Sequence, residues 1–239
     1  MTAPIVIMGA HGGIGEKLTK ILVANGNIVH ATARNSDDVI RDTNIVPYSV
    51  DVFDNDCIES TIASADTGDG IKGLAYCIGS IDLKPLKATK NENFLNSYTL
   101  NVLGIVRALR AAEKSLKKAN GSVVLFSTIA VQQGFANHSL ISTSKGAVEG
   151  LTRSLAAEWA PDVRVNCIAP SLSDTPLAQP LTGSEKMSQS IAAMHPIPRL
   201  GTAQDSASLA AYLLNENAGW ITGQVFHVDG GRSSLRVKG

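Results

Sequence analysis

Short runs of apolar residues alternate along this chain with longer segments in which apolar residues recur every three or four positions. The short runs have the length and β-branched content of buried strands, and the longer segments have the period of helices packed on one face. Such alternation is typical of a parallel sheet covered by helices on both faces. The sequence therefore predicts a single α/β domain with one doubly wound sheet of seven strands: Ile5–Gly9, Ile28–Ala33, Val46–Val50, Gly73–Cys77, Ser122–Phe126, Arg164–Ala169 and Val225–Val228.

Helices are predicted in the segments between these strands. Apolar stripes in residues 102–109 and 148–159 indicate core-facing helices, and residues 55–64 and 205–214 have a similar pattern. Residues 171–199, rich in Pro and Ser, form the one long connection. A long connection after a late strand often covers a binding site.

Charge and cysteine content narrow the function classes. The 21 basic and 21 acidic residues cancel, so nothing favours a nucleic-acid or anionic-membrane surface. The three cysteines show no spacing typical of zinc or redox motifs, and we interpret them as reduced thiols. A small-molecule ligand and no bound metal are therefore expected.

The sequence favours a location in the cytoplasm. No basic residue precedes Lys17, as one would in a secretory signal, and no run approaches the ~20 apolar residues that span a bilayer. We expect a cytoplasmic protein.

A glycine-rich turn follows the first predicted strand and leads into a helix that runs to about Asn25. Gly9 permits a tight exit from the strand, Gly13 permits close approach of backbone amides to a pyrophosphate, and Gly15 permits the helix to pack on the sheet. His11 and Ile14 lie within the same turn. Such a turn can also be purely structural, but its place between strand and helix favours a Rossmann-type dinucleotide site.

Arg34 ends the second predicted strand, where a site that prefers NAD usually has an acidic residue on the ribose 2′-hydroxyl. A guanidinium there pairs with the 2′-phosphate of NADP. The alternative is a surface arginine neutralised by Asp37 and Asp38. The sequence favours NADP over NAD.

Further motifs follow the glycine turn in a fixed order. Together with that turn they make the chain resemble the classical short-chain dehydrogenase/reductase family over nearly its whole length. The motifs are Asp51-Val52, Asn101, residues 144–152 with Lys145, residues 164–175 with Pro170 and Thr175, and residues 220–231.

The resemblance assigns roles to these residues. It implies that Asp51 and Val52 contact adenine, that Asn101 is structural and catalytic, and that Lys145 holds the ribose hydroxyls of the nicotinamide nucleotide. It implies that Gly79, Pro170 and Thr175 line the cofactor site. It also implies a homodimer or homotetramer, because residues 220–231 resemble a region often found at the family's interfaces.

The sequence departs from the family pattern at its proton donor. The family has a tyrosine four residues before its lysine, and this chain has Ile141. The family serine thirteen residues before that tyrosine is Thr128, beside Ser127. Where the family has Asn-Asn-Ala-Gly, this chain has Tyr-Cys-Ile-Gly at residues 76–79. Where the family has Pro-Gly, this chain has Pro170-Ser171.

Reduction of a carbonyl places negative charge on its oxygen, so a proton or hydrogen bonds must reach that oxygen. His138 is the best substitute for the tyrosine, because imidazole titrates near neutral pH. It can equally be a loop histidine without a catalytic task. Thr128, or a water relayed through Asn101 and Lys145, is a further candidate.

Two functions follow from these observations. The chain is either an NAD(P)-dependent oxidoreductase for a small carbonyl, alcohol or activated double bond with an atypical proton donor, or a nucleotide-binding pseudoenzyme that regulates or scaffolds. Candidate substrate walls are Gln132, Gln133, Phe135, Leu177, Leu181, Met187 and Met194.

Overall fold

The computed structural model describes residues 3–237 of the chain and is built on a seven-stranded parallel sheet. Every predicted strand is present, with ends that differ from the prediction by one residue at most. The strands are β1 (Ile5–Met8), β2 (Val29–Ala33), β3 (Ile45–Ser49), β4 (Gly73–Tyr76), β5 (Ser122–Phe126), β6 (Arg164–Pro170) and β9 (Val225–Val228). A separate pair of two-residue strands is formed by β7 (Ser173–Asp174) and β8 (Gly201–Thr202).

Helices cover both faces of the sheet. They are α1 (Gly13–Ala24), α2 (Asn55–Ala65), α3 (Asn91–Tyr98), α4 (Gly104–Lys118), α5 (Ala130–Gln133), α6 (Ser139–Trp159), α7 (Gln179–Thr182), α8 (Glu185–Ala192) and α9 (Ala203–Leu214). One core lies between the sheet and α2, α4 and α6, and the other lies between the sheet and α1 and α9. These two buried layers confirm the doubly wound α/β prediction.

The strand order is β3-β2-β1-β4-β5-β6-β9. Strands β1, β2 and β3 therefore follow one another towards one edge of the sheet. Strand β4 then pairs with the opposite side of β1. The strand order thus reverses between β1 and β4, at the carboxyl ends of the strands. Doubly wound sheets bind ligands in the crevice at such a point.

A π-helical turn, Thr99–Leu103, joins α3 to α4. Its wider backbone leaves carbonyl groups out of the regular helical ladder. The hydroxyl of Tyr76 donates to the carbonyl oxygen of Leu100 over 2.9 Å. Gly104 gives this hydroxyl room, since a Cβ there would lie 2.1 Å from it. The turn that carries Asn101 is thus tied to the end of β4.

The long connection between residues 171 and 199 is more regular than the sequence indicates, because it contains β7, α7 and α8. Helix α8 begins after Ser184, whose hydroxyl accepts a hydrogen bond from the amide of Met187 over 3.2 Å. Such a cap stabilises a short helix that apolar periodicity does not reveal.

Within residues 3–237 no helix is long and apolar enough to cross a membrane.

Candidate functional site

The glycine turn after β1 is built so tightly that side chains are excluded from it. Gly9 has a φ of +85°, and a Cβ there would lie 2.7 Å from Cγ1 of Ile78. A Cβ on Gly15 would lie 2.1 Å from the carbonyl oxygen of Gly9. A Cβ on Gly13 would lie 2.9 Å from Cγ2 of Thr175. The turn therefore lies directly against the segment that follows β6.

Helix α1 begins in this turn, and its first amides have no acceptor within the helix. The first intrahelical bond runs from the amide of Glu16 to the carbonyl oxygen of Gly12, over 2.7 Å. The N–H groups of Gly13 and Ile14 precede it, beside the exposed side chain of His11. Free amides at the positive end of a helix dipole favour an anion such as a pyrophosphate.

Arg34 lies exposed at the end of β2, on the same edge of the sheet. Asp37, which the sequence offers as a neutralising partner, pairs instead with Arg41 over 2.7 Å. Among the described residues Arg34 takes part in no ion pair. Its guanidinium is thus available to a phosphate at this edge.

Asp51 and Val52 follow β3 at the outer end of the crevice. A carboxylate oxygen of Asp51 accepts the amide of Phe53 over 2.9 Å and so shapes the turn. Val52 is buried, and its carbonyl oxygen accepts a hydrogen bond from Arg107 over 2.8 Å. The pair forms a fixed corner with an apolar residue beneath it.

A cavity of about 470 Å³ lies beyond the inner end of the glycine turn. Several residues singled out from the sequence line it: Ile14, Gly79, Thr128, Phe135, His138, Ile141, Lys145, Pro170, Thr175, Leu177, Leu181, Met187 and Met194. Its walls are mainly apolar. Of the described residues that line it, none is acidic and none is a tyrosine, whereas Lys145 and Arg232 are cations.

Two of the proposed walls are not part of this cavity. Gln132 and Gln133 are absent from the described lining, although Phe135 belongs to it. The Nε2 of Gln133 donates instead to the carbonyl oxygen of Ser233 over 2.9 Å, which ties the start of the loop to the C-terminal turn. Both glutamines are exposed on the short helix α5, so the structure does not place them in the wall of this cavity.

Lys145 is buried on α6, with 7% of its surface exposed. Its Nζ donates to the carbonyl oxygen of Phe126 over 3.0 Å. Burial lowers its pKa to about 8, although the nearby thiols of Cys167 and Cys77 act in the opposite direction. Its charged form is therefore less favoured than that of an exposed lysine.

Asn101 meets Lys145 around Gly79. A Cβ on Gly79 would lie 3.3 Å from both the Oδ1 of Asn101 and the Nζ of Lys145. The Nδ2 of Asn101 donates to the carbonyl oxygen of Ser97 over 2.9 Å, whereas its buried Oδ1 has no hydrogen-bond partner among the described residues. Buried polar atoms are rarely left without partners, so this acceptor fits a ligand or a water.

Ile141 occupies the cavity wall one helical turn before Lys145 and is 5% exposed. Thr128 lines the same cavity, and its hydroxyl accepts the amide of Ala130 over 3.3 Å. Ser127 turns its hydroxyl away to the buried carboxylate of Glu149, at 2.8 Å. Of the two neighbouring hydroxyls, Thr128 is the one left for a ligand.

His138 directly precedes α6 and lines the cavity. Its Nδ1 lies 2.7 Å from the carbonyl oxygen of Ala136, so a neutral ring carries its proton there and keeps Nε2 as an acceptor. Phe135 packs edge-on against the ring, with 5.4 Å between centroids. His138 and Lys145 line the same cavity.

The sequence did not single out two features of this site. The Oγ of Ser171 lies 2.8 Å from Nε2 of buried His195, whose Nδ1 lies 2.9 Å from the carbonyl oxygen of Ile191. Arg232 lies over the ring of Phe135, at 4.7 Å from its centroid. The unusual Pro170-Ser171 pair was a signal for the first, whereas spacing gave no signal for Arg232.

Burial affects the thiols of two of the three cysteines. Cys77 lines the cavity, and burial raises its pKa to about 12. Burial raises the pKa of Cys167 to about 12 as well. All three cysteines are free thiols. Within residues 3–237 no three His, Cys, Asp or Glu side chains are grouped as they are around a metal ion.

Comparison with known proteins gives matches over almost the whole chain. Residues 9–233 match a family model described as "Enoyl-(Acyl carrier protein) reductase". A tropinone reductase homologue of Arabidopsis thaliana is 30% identical over 238 residues, which cover 95% of this chain and 90% of that protein.

Two further matches are informative. An "Inactive 2-(S)-hydroxypropyl-CoM dehydrogenase 2" of Xanthobacter autotrophicus is 32% identical over 192 residues, or 77% of this chain and 84% of that protein. Among solved structures, a variant of ElxO with NADPH bound has a TM-score of 0.91 and 29% identity, covering 98% of this chain and all of that one.

Proposed function

The chain belongs to the classical short-chain dehydrogenase/reductase family, and we propose that it is an NADP-dependent oxidoreductase for a small carbonyl or alcohol substrate. The observation that carries the proposal is the meeting of Lys145 and Asn101 around Gly79, at the wall of the cavity. A buried amine and a buried acceptor with no partner among the described residues, placed next to a phosphate-binding turn, suit the hydroxyl groups of a ribose. The family's members are NAD(P)-dependent oxidoreductases in general.

The chain's residues fit the cofactor along its length. The amides after Gly13 suit the pyrophosphate, with His11, Ile14 and Gly15 in the same turn. The unpaired Arg34 suits a 2′-phosphate, which favours NADP. The bound cofactor supplies or accepts the hydride.

The two ends of the nucleotide have separate sets of residues. Asp51 and Val52 form the corner proposed for adenine. Gly79, Pro170 and Thr175 line the cavity and are proposed for the nicotinamide end. The contact of Thr175 with the Gly13 position brings the phosphate turn and this end of the site together.

We propose that the active site works without the family tyrosine and that His138 supplies the proton. Ile141 carries no proton to donate, whereas His138 directly precedes α6 and lines the same cavity as Lys145. A protonated imidazole donates through Nε2 to the developing alkoxide, while the Nδ1 contact to Ala136 fixes the ring. Thr128 orients the carbonyl oxygen by a hydrogen bond.

A second function is favoured by Ile141 itself, because an apolar residue replaces the family's proton donor. The chain would then bind the nucleotide without turnover and act as a regulatory or scaffolding protein. The relative from Xanthobacter is named as inactive. This name describes that protein. An experiment must distinguish an active oxidoreductase from an inactive nucleotide-binding protein in the present case.

The experiment begins with the binding of NADPH and NADH, followed by fluorescence, and continues with turnover of a mixed panel of small ketones and alcohols. Wild type, His138→Ala, Thr128→Val and Ile141→Tyr are compared. Turnover by wild type that is lost in His138→Ala, with NADPH binding retained, supports the proposal. Turnover by Ile141→Tyr alone supports the pseudoenzyme. If wild type binds neither nucleotide, both functions are overturned.

A relay through water is the remaining route for the proton. In that case His138→Ala retains turnover, and Asn101→Ala or Lys145→Met loses it.

We also propose a homodimer or homotetramer in the cytoplasm, with no nucleic-acid or membrane partner. Light scattering of the purified protein and imaging of a tagged chain in its own cells test these two points.

A further inference from the structure

Arg232 places a positive charge in the wall of an otherwise apolar cavity. The described lining contains no aspartate or glutamate, and its other cation, Lys145, is already directed towards Phe126 and Asn101. Charged groups in an apolar wall are costly unless something pairs with them. The cavity therefore has one cation that the proposed cofactor site does not use.

The hydrogen bonds of Arg232 leave its donors largely free. Within the described part of the chain, its guanidinium makes one hydrogen bond, from Nη2 to the thioether sulfur of Met194 over 3.4 Å. Thioether sulfur is a weak acceptor, whereas a guanidinium has five N–H donors. The ring of Phe135, at 4.7 Å, supports one flat face of the group and leaves its edge open.

Asp229 is the nearby carboxylate, but the turn that follows β9 engages it. Its two oxygens accept the amides of Gly231 and Ser233, each over 2.8 Å. No ion pair joins it to Arg232 among the described residues. Burial lowers the pKa of Arg232, and the negative charge of Asp229 opposes this shift without cancelling it.

We propose that Arg232 is the specificity-determining residue of the cavity and binds a carboxylate on the substrate. A carboxylate matches the open edge of a guanidinium by two parallel hydrogen bonds, and the apolar walls accommodate the carbon skeleton. This inference rests on the proposed function and adds its substrate class: carbonyl compounds, or the corresponding alcohols, that carry a carboxylate.

The order of side chains along one wall gives the substrate a direction. Arg232 lies on Phe135, and Phe135 in turn packs against His138. One aromatic ring thus separates the carboxylate anchor from the proposed proton donor. A substrate bound at Arg232 would place its carbonyl group some distance along its skeleton, near Thr128 and Ile141.

The test compares keto carboxylates of increasing chain length with their methyl esters, which keep the shape and lose the charge. We expect wild type to favour at least one acid over its ester by about tenfold or more in kcat/KM. The preference should fall to about one in Arg232→Gln and be partly kept in Arg232→Lys. The matched control is Arg236→Gln, because Arg236 is exposed and outside the cavity.

Binding and turnover are measured separately, so that failure of this inference differs from failure of the proposed function. Equal turnover of acids and esters by wild type overturns the carboxylate site and leaves the oxidoreductase standing. If nothing turns over, calorimetric titration of the NADPH complex with the acids decides: binding that Arg232→Gln loses supports the site, and no binding by wild type overturns it. Unchanged melting temperature and NADPH binding show that Arg232→Gln is folded, and Arg232→Met, which also removes the charge, replaces it otherwise.

Discussion

The hydroxyl of Tyr76 lies 2.9 Å from the carbonyl oxygen of Leu100, and this contact links strand β4 to the π-helical turn of Asn101. Tyr76 is 1% exposed, and burial raises the pKa of its hydroxyl above the ordinary value. The group therefore remains a proton-carrying donor at neutral pH. A tyrosine near the site thus has a structural role in holding Asn101.

Removing this hydroxyl should destabilise the protein. In Tyr76→Phe the Leu100 carbonyl loses its donor, and we expect the free energy of unfolding to fall by about 1–3 kcal/mol in urea titrations. Tyr212→Phe is the control, because Tyr212 is 45% exposed and its hydroxyl makes a longer bond, 3.3 Å, to Asn217. Equal losses in the two variants would contradict the assignment.

The unpaired guanidinium at the end of β2 predicts a change of cofactor preference. Arg34→Ala should weaken NADPH binding by about tenfold or more, because a charge-assisted contact to the 2′-phosphate is lost, and should leave NADH binding nearly unchanged. Fluorescence titration measures both affinities. Arg41→Ala removes a neighbouring arginine that is paired with Asp37, and it should alter neither affinity. Parallel weakening for both nucleotides in Arg34→Ala would count against a phosphate contact.

The buried amine of Lys145 predicts a pH dependence of stability. Its pKa of about 8 in the folded protein lies below the ordinary lysine value of 10.5, so between these values the unfolded chain binds the proton and the folded protein does not. The free energy of unfolding therefore rises with pH across that interval, by about 3 kcal/mol in total. Below the interval the amine is charged in both states, and the cost of burying that charge destabilises the folded protein in full.

Urea unfolding of the protein without cofactor, at several pH values across the interval, measures this effect. Lys145→Met is the reference, because it has no amine to titrate and cancels the contributions of other groups. We expect the stability of wild type to approach or exceed that of Lys145→Met as the pH rises. Curves that remain parallel would show that the amine keeps an ordinary pKa.

Ser171 and His195 are predicted to act as a pair that fixes the long connection after β6. Ser171→Ala and His195→Gln should each cost about 1–2 kcal/mol of stability, since each leaves a buried polar partner unsatisfied. A double-mutant cycle should give a coupling energy of about 0.5 kcal/mol or more. Strictly additive losses would mean that the 2.8 Å contact carries no interaction energy.

Apolar patterning predicted the sheet almost to the residue, because the central strands are short apolar runs buried on both faces, and the partly buried edge strands β3 and β9 keep the same short length. It missed β7, α7 and α8, whose short lengths give no period to read. Helix α8 depends on the hydroxyl of Ser184 as a cap, and a single serine does not stand out in a segment rich in serine.

The site was predictable where a residue type and a position together define a role. The glycine turn and Lys145 were found in this way, and the structure shows Asn101 beside that lysine at Gly79. Arg232 was not found, since its place in the wall depends on the ring of Phe135, about a hundred residues earlier in the chain. Only the folded protein shows that, of the 21 basic residues, Arg232 joins Lys145 in the cavity wall.

The wall formed by Arg232 has a consequence for the order of folding. Arg232 packs on Phe135, and Gln133 donates to the carbonyl oxygen of Ser233, so the loop after β5 and the turn after β9 hold each other. These contacts join positions about a hundred residues apart, with β6 lying between β5 and β9 in the sheet. Because contacts of large sequence separation form slowly, we expect this wall of the cavity to close late in folding.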